Sequence, residues 1–170
     1  MPITSIPMKK KLIIADDLLR PRASINLNYN GPNPERFYSE IPKVLTTVFR
    51  VHEGSIQEKD LSFSKGETTK LSCSWELFKD LDKFSYYVIS VKLTVISTKG
   101  EGTANISIEG TLRTEYNQET MWQRSIIYEF FRMMWSRFFY ESTREKYFKE
   151  GQRLISQFVH ELKNMFHGLR

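Results

Sequence analysis

Apolar and polar residues alternate strictly from Ala23 to Tyr29, where Ile25, Leu27 and Tyr29 share one side and Ser24, Asn26 and Asn28 the other. That period of two predicts a strand with one buried face, ended by Asn30-Gly31-Pro32. A helix is expected next, with Asn33 as N-cap, Pro34 as first helical residue and Glu35 in the first turn. Phe37, Ile41, Val44, Leu45 and Val48 make its apolar stripe. Pro42 lies inside the stripe, so a kink or a split into two short helices is expected.

After Gly54 the period returns to two. Leu61 and Phe63 alternate before Ser64-Lys65-Gly66-Glu67, and Leu71, Cys73, Trp75 and Leu77 before Lys79-Asp80-Leu81-Asp82. Tyr87, Ile89, Val91, Leu93 and Val95 then share a face, and beyond Lys99-Gly100-Glu101-Gly102 so do Ile106, Ile108 and Leu112. These runs read as an antiparallel meander, about five strands in all, with one apolar and one polar face. Opposed residues must share a face. A four-residue loop at the last hairpin satisfies this and sets Val95 opposite Ile106, Leu93 opposite Ile108, Ile89 opposite Leu112, Val91 opposite Gly110 and Lys92 opposite Glu109. Gly110, inside a strand, is expected to mark a bulge, a bend or the close approach of a helix.

From residue 118 to 169 the period is helical. Thr120 with Gln123 fits a capping box, and Met121, Ile126, Ile127, Phe130, Met134, Trp135, Phe138 and Phe139 form a broad apolar surface. A single helix of that length would run about 75 Å, far beyond the roughly 40 Å diameter of a compact domain of this size. A bend is therefore expected near 141–146, where Ser142 and Glu145 repeat the capping pattern. The following stripe is Gly151, Leu154, Ile155, Phe158, Val159, Leu162, Met165 and Phe166.

The fold class expected is α+β: an antiparallel meander with one face packed by a split N-terminal helix and long C-terminal helices. Residues 1–10 read as a flexible arm and 11–170 as one domain, a size that buries one core without disulfides or metals. Across residues 23–141 the order strand, helix, meander, long helix resembles the helix-grip arrangement of START and Bet v 1-like proteins. That resemblance implies carriage of an apolar small molecule.

Composition adds less. The formal charge of +5 is concentrated at the ends: residues 1–22 hold five basic and two acidic residues, and 118–170 hold nine basic and six acidic. Cys73 is the only cysteine, which excludes an internal disulfide and suggests a reducing compartment, the cytoplasm. The apolar run Leu12-Ile13-Ile14-Ala15 ends at Asp16-Asp17, too short for a signal peptide. The most apolar stretch, from Ser125 to Tyr140, contains Glu129, Arg132 and Arg137, so no membrane span is expected.

Chemistry-bearing patterns are sparse. His160, Asn164 and His167 recur on one side of the last helix but lack a third good metal ligand, and a solvated helix face is the expectation. His52 reads as a turn residue. Asp16-Asp17 and Asp80 with Asp82 sit beside turns, where aspartates bond the local backbone. Cys73 alternates with Leu71 and Trp75 and reads as an inert core thiol. No phosphate loop, nucleophile elbow or paired-cysteine motif occurs, so neither enzyme nor cofactor is expected.

The strongest anomaly is aromatic crowding between Trp122 and Tyr140, interleaved with Arg124, Arg132, Arg137 and Arg144. Adjacent aromatics such as Phe130 and Phe131 diverge by about 100° around a helix, so one buried face cannot hold them all. The function expected is a non-enzymatic binding or assembly module. Its surface would comprise Trp122, Arg124, Phe131, Arg132, Trp135, Arg137 and Phe139, and its partner another protein or a second copy. An apolar small molecule and RNA are the alternative ligands, the latter through guanidinium–aromatic stacking.

Overall fold

The computed structural model describes residues 10–118, Met134 and residues 141–169, with side chains from Ile13 to Glu115, at Met134 and from Glu141 to Leu169. Among the described residues there are six strands: β1 (Lys10–Asp17), β2 (Ile25–Pro32), β3 (Ile56–Ser64), β4 (Thr69–Asp80), β5 (Ser85–Thr98) and β6 (Glu101–Gln118). Helix α1 (Arg36–Phe49) lies between β2 and β3, and α2 (Glu141–Gly168) follows β6. All six strands join one antiparallel sheet in the order β1-β6-β5-β4-β3, with β2 also on β6.

The strand missing from the sequence-based expectation is β1, whose run of four apolar residues behind three lysines carries no alternation to read. It pairs with the second half of β6, Lys10 with Gln118 through Asp17 with Thr111, while β2 pairs with the first half, Ile25 with Ile108 through Pro32 with Glu101. Where the two meet, the N–H of Leu18 donates to the carbonyl of Gly110 at 2.9 Å, and the Leu18 side chain is buried.

Helix α1 is continuous rather than split. Pro42 forfeits a backbone bond and costs the helix about 3 kcal/mol. Phe37, Ile41, Leu45, Val48 and Phe49 are all buried, each contributing about 1.5–3 kcal/mol, so keeping them on one face outweighs that loss. The helix also begins later than expected. Asn33 adopts a positive φ of 50° and gives its N–H to the Gly100 carbonyl at 2.7 Å, which pins it to the β5–β6 hairpin. Glu35 takes the N-cap position without a capping bond, its carboxylate receiving the Ser97 hydroxyl instead. At the other end, Lys79 Nζ donates to the Phe49 carbonyl at 2.8 Å, and burial pushes that lysine's pKa down.

The β5–β6 hairpin is tighter than expected. Its loop is Lys99-Gly100, both at positive φ (53° and 85°), the two-residue turn whose twist matches the strands it joins. Lys92 therefore faces Ser107, and Glu109 faces Ser90; Val95 meets Ala104, Leu93 meets Ile106, and Ile89 meets Gly110. The slip is by two residues, so every side chain keeps its expected face.

The helices cover one face of the sheet. Gly151, Leu154, Ile155, Phe158 and Leu162 of α2 are buried, with Val159, Met165 and Phe166 packed at the margin, so the expected stripe is the one used. Two glycines set the distance between layers. A Cβ on Gly110 would lie 2.5 Å from Ile155 Cδ1, and one on Gly151 would lie 2.9 Å from both Leu18 methyls. Of the three roles expected for Gly110, the close approach of a helix is thus the operative one. The segment 141–146 is already helical, and the chain immediately before it lies outside the described residues.

The opposite face is polar. Across it, Ser62, Ser72, Thr94, Asn105 and Asn28 stand in one cross-strand row, with Asn105 Nδ2 donating to Asn28 Oδ1 at 2.8 Å.

A candidate binding edge at strand β3

Strand β3 ends the sheet and pairs, among the described residues, only with β4. Its pairing sets Leu61 opposite Cys73 and Phe63 opposite Leu71, on the helix-facing side. The helices do not reach them: Leu61 is 52% exposed and Phe63 59%, although Cys73 and Leu71 beside them are buried. Two large apolar side chains thus continue the core outward into solvent.

The two halves of β3 differ in kind. The first half, Gln57-Glu58-Lys59-Asp60, is charged and carries a bulge between Glu58 and Asp60. Its charges are engaged: Lys59 Nζ lies 3.1 Å from Glu76, Asp60 accepts from Ser74 Oγ at 3.1 Å, and Glu58 accepts from Tyr38 Oη at 3.0 Å. The bond to Glu58 raises the Tyr38 pKa. The second half, Leu61-Ser62-Phe63-Ser64, is uncharged and regular. Charge and bulges are what keep an exposed edge from recruiting another strand, and only half of this edge has them.

Beside the charged half lies a cavity of about 340 Å³, bounded by Pro42 and Lys43 of α1, Glu53, Ile56, Glu58 and Trp75. The Tyr38 and Trp75 rings meet there at 5.7 Å between centroids. Cys73, one step from Trp75 on the same face, has its thiol pushed up to about 12 by burial, reinforced by the Glu58 carboxylate. It is a core thiol, as its alternation implied.

No family model fits the sequence, and no curated protein aligns with it significantly.

The residues expected to form the working surface, Trp122, Arg124, Phe131, Arg132, Trp135, Arg137 and Phe139, all lie outside the described residues. Met134, read from the sequence as part of the broad apolar surface, is helical and 44% exposed. Arg144 is described: its Nη2 lies 2.6 Å from Asp16, which also holds Arg20, beside a cavity of about 310 Å³ shared with Glu141, Glu145 and Phe148. Carboxylates outnumber arginines there, so the cluster neutralises itself rather than presenting a cationic site.

The other sequence candidates resolve locally. His52 Nδ1 accepts the Gly54 N–H, Asp17 accepts that of Leu19, and Asp82 accepts those of Phe84 and Ser85. His160, Asn164 and His167 are exposed on α2, and among the described residues no three ligating side chains cluster as a metal site would require. Sequence reasoning missed the exposure of Leu61 and Phe63 because an alternating apolar pair looks the same at a sheet's edge as at its centre. The available signal was position: the first strand of a meander is an edge unless another strand returns beside it.

Proposed function

We propose that this chain is a non-enzymatic binding or assembly module that recruits a protein partner through the open edge of β3. The observation that carries the reading is the exposure of Leu61 and Phe63 on the uncharged, regular half of an edge whose other half is bulged and charged. A partner strand added there would satisfy β3's outward backbone groups and cover both side chains, the strand-addition mode of recognition. The exposed Met134 supports a contribution from the C-terminal aromatic and arginine-rich segment to the same kind of contact.

The carrier function implied by the helix-grip likeness finds less support. Ile155 and Leu18 close against Gly110 and Gly151 at a distance that leaves no room for a ligand between α2 and the sheet at that level. The test of the binding reading is the pair Leu61→Lys and Phe63→Lys in one variant. Wild-type folding is expected, since both sites are exposed, together with loss of the proteins that co-purify with the wild-type chain. Recovery of the same partners in the same amounts would refute the reading.

A further inference from the structure

We infer that the occupant of the β3 edge is a second copy of this chain, paired antiparallel about a two-fold axis at Ser62, so that two six-stranded sheets become one. The inference rests on the reading of β3 as a binding edge and adds its partner and register. Leu61 and Phe63 share the helix-facing side. Only registers that oppose residues of like face keep that side apolar in both copies.

Four such axes fall in the regular half. An axis at Ser64 would set Phe63 opposite Lys65 and Leu61 opposite Glu67. An axis at Phe63 would leave Leu61 opposite Lys65. An axis at Leu61 would drive Phe63 against Lys59, at the bulge. The axis at Ser62 sets Leu61 opposite Phe63 of the second copy and Phe63 opposite its Leu61, four apolar side chains in an unbroken row. Serine meets serine on the axis, and Ser64 meets Asp60 where the bulge ends the ladder. No like charges oppose one another within it.

Charge flanks the row. Past Ser64, Lys65 of each copy falls opposite Lys59 of the other, whose ammonium is already held 3.1 Å from Glu76, with Glu58 and Asp60 as its diagonal neighbours. Among the described residues, the opposite edge of the sheet is divided between β1 and β2 by the Leu18–Ser24 corner and stops at Pro32, and it exposes one large apolar side chain, Ile13, rather than an adjacent pair. Pairing β3 with that edge would also be head-to-tail and open-ended, whereas β3 with β3 closes as a dimer.

A ladder this short predicts a dimer that dissociates on dilution. Sedimentation equilibrium over a wide concentration range should show it. Phe63→Lys should raise the dissociation constant by about tenfold or more, with circular dichroism and thermal midpoint unchanged. As an independent reading of the register, Ser62→Cys should form a disulfide across the axis under mild oxidation faster than Ser64→Cys. Cys73 is buried and takes no part. A monomer at every concentration, a dimer insensitive to Phe63→Lys, open-ended polymers, or faster crosslinking at 64 would each overturn the inference. A monomeric wild type whose other partners still depend on Leu61 and Phe63 would overturn self-pairing while leaving the binding edge standing.

Discussion

Gly110 shows how much one missing methyl group can determine. It lies opposite Ile89 on β6 and beneath Ile155 of α2, so a methyl at this position meets two buried side chains, at 2.5 Å and 3.2 Å. Gly110→Ala is expected to destabilise the fold by about 1–3 kcal/mol, the usual cost of overfilling a packed core. Urea denaturation measures it, and a change within experimental error would show that Ile155 yields freely. Cys73 gives a residue-scale prediction in pH. Its folded pKa of about 12 lies above the ordinary thiol value, so between those values the unfolded chain releases a proton that the folded chain retains. Its contribution to stability is therefore whole below about pH 9 and fades as pH rises toward 12. The native thiol should react with a disulfide reagent at pH 8 far more slowly than the unfolded one. Equal rates would show that the site is open.

At the scale of elements, the β5–β6 hairpin separates what alternation can tell from what it cannot. Faces follow from the period of two, but a slip of two residues preserves every face, and only the turn chooses between such registers. Lys99-Gly100 chooses the tighter one. Cysteines at 92 and 107 should crosslink readily, and cysteines at 92 and 109 poorly; the reverse would restore the longer loop. The same limit explains the other departures. The α1 stripe was legible, but the proline's tolerance was not, because it depends on a core assembled from β4, β5 and α2. Strand β1 carries no alternation, and its place follows from the length of β6, which overhangs β2. As for the candidate site, the alternation of Leu61 and Phe63 was visible while their exposure was not, since coverage by a helix is a property of the layer above.

For the molecule as a whole, the sheet has one face closed by helices and the other presenting hydroxyls and amides to solvent, so apolar exposure among the described residues is concentrated at a few points. Leu61, Phe63, Ile96, Ile13, Phe84 and Met134 are the exposed large apolar residues among those described, and only Leu61 and Phe63 stand two apart on an uncharged edge. Association should therefore be abolished by changes on β3 and indifferent to Ile96→Lys on the polar face. Light scattering on both variants checks this. Sensitivity to Ile96 alone would move the contact to the other side of the sheet.

Strand β6 bears on how the protein is made. Among the described residues it is the only strand paired along both sides by three others, and the two that complete it were synthesised first: Lys10 waits for Gln118, and Ile25 for Ile108. During translation the β3–β4–β5 meander can form while β1 and β2 have nothing to pair with, because their template is still in the ribosome. The nascent chain thus passes through a stage in which two unmated strands and a half-covered core are exposed together. Stalling translation before β6 emerges should leave a chain that is digested quickly by protease ahead of residue 33, and release beyond residue 118 should protect that region. If the early strands are already protected in the shorter chain, they have found another partner before their own is made.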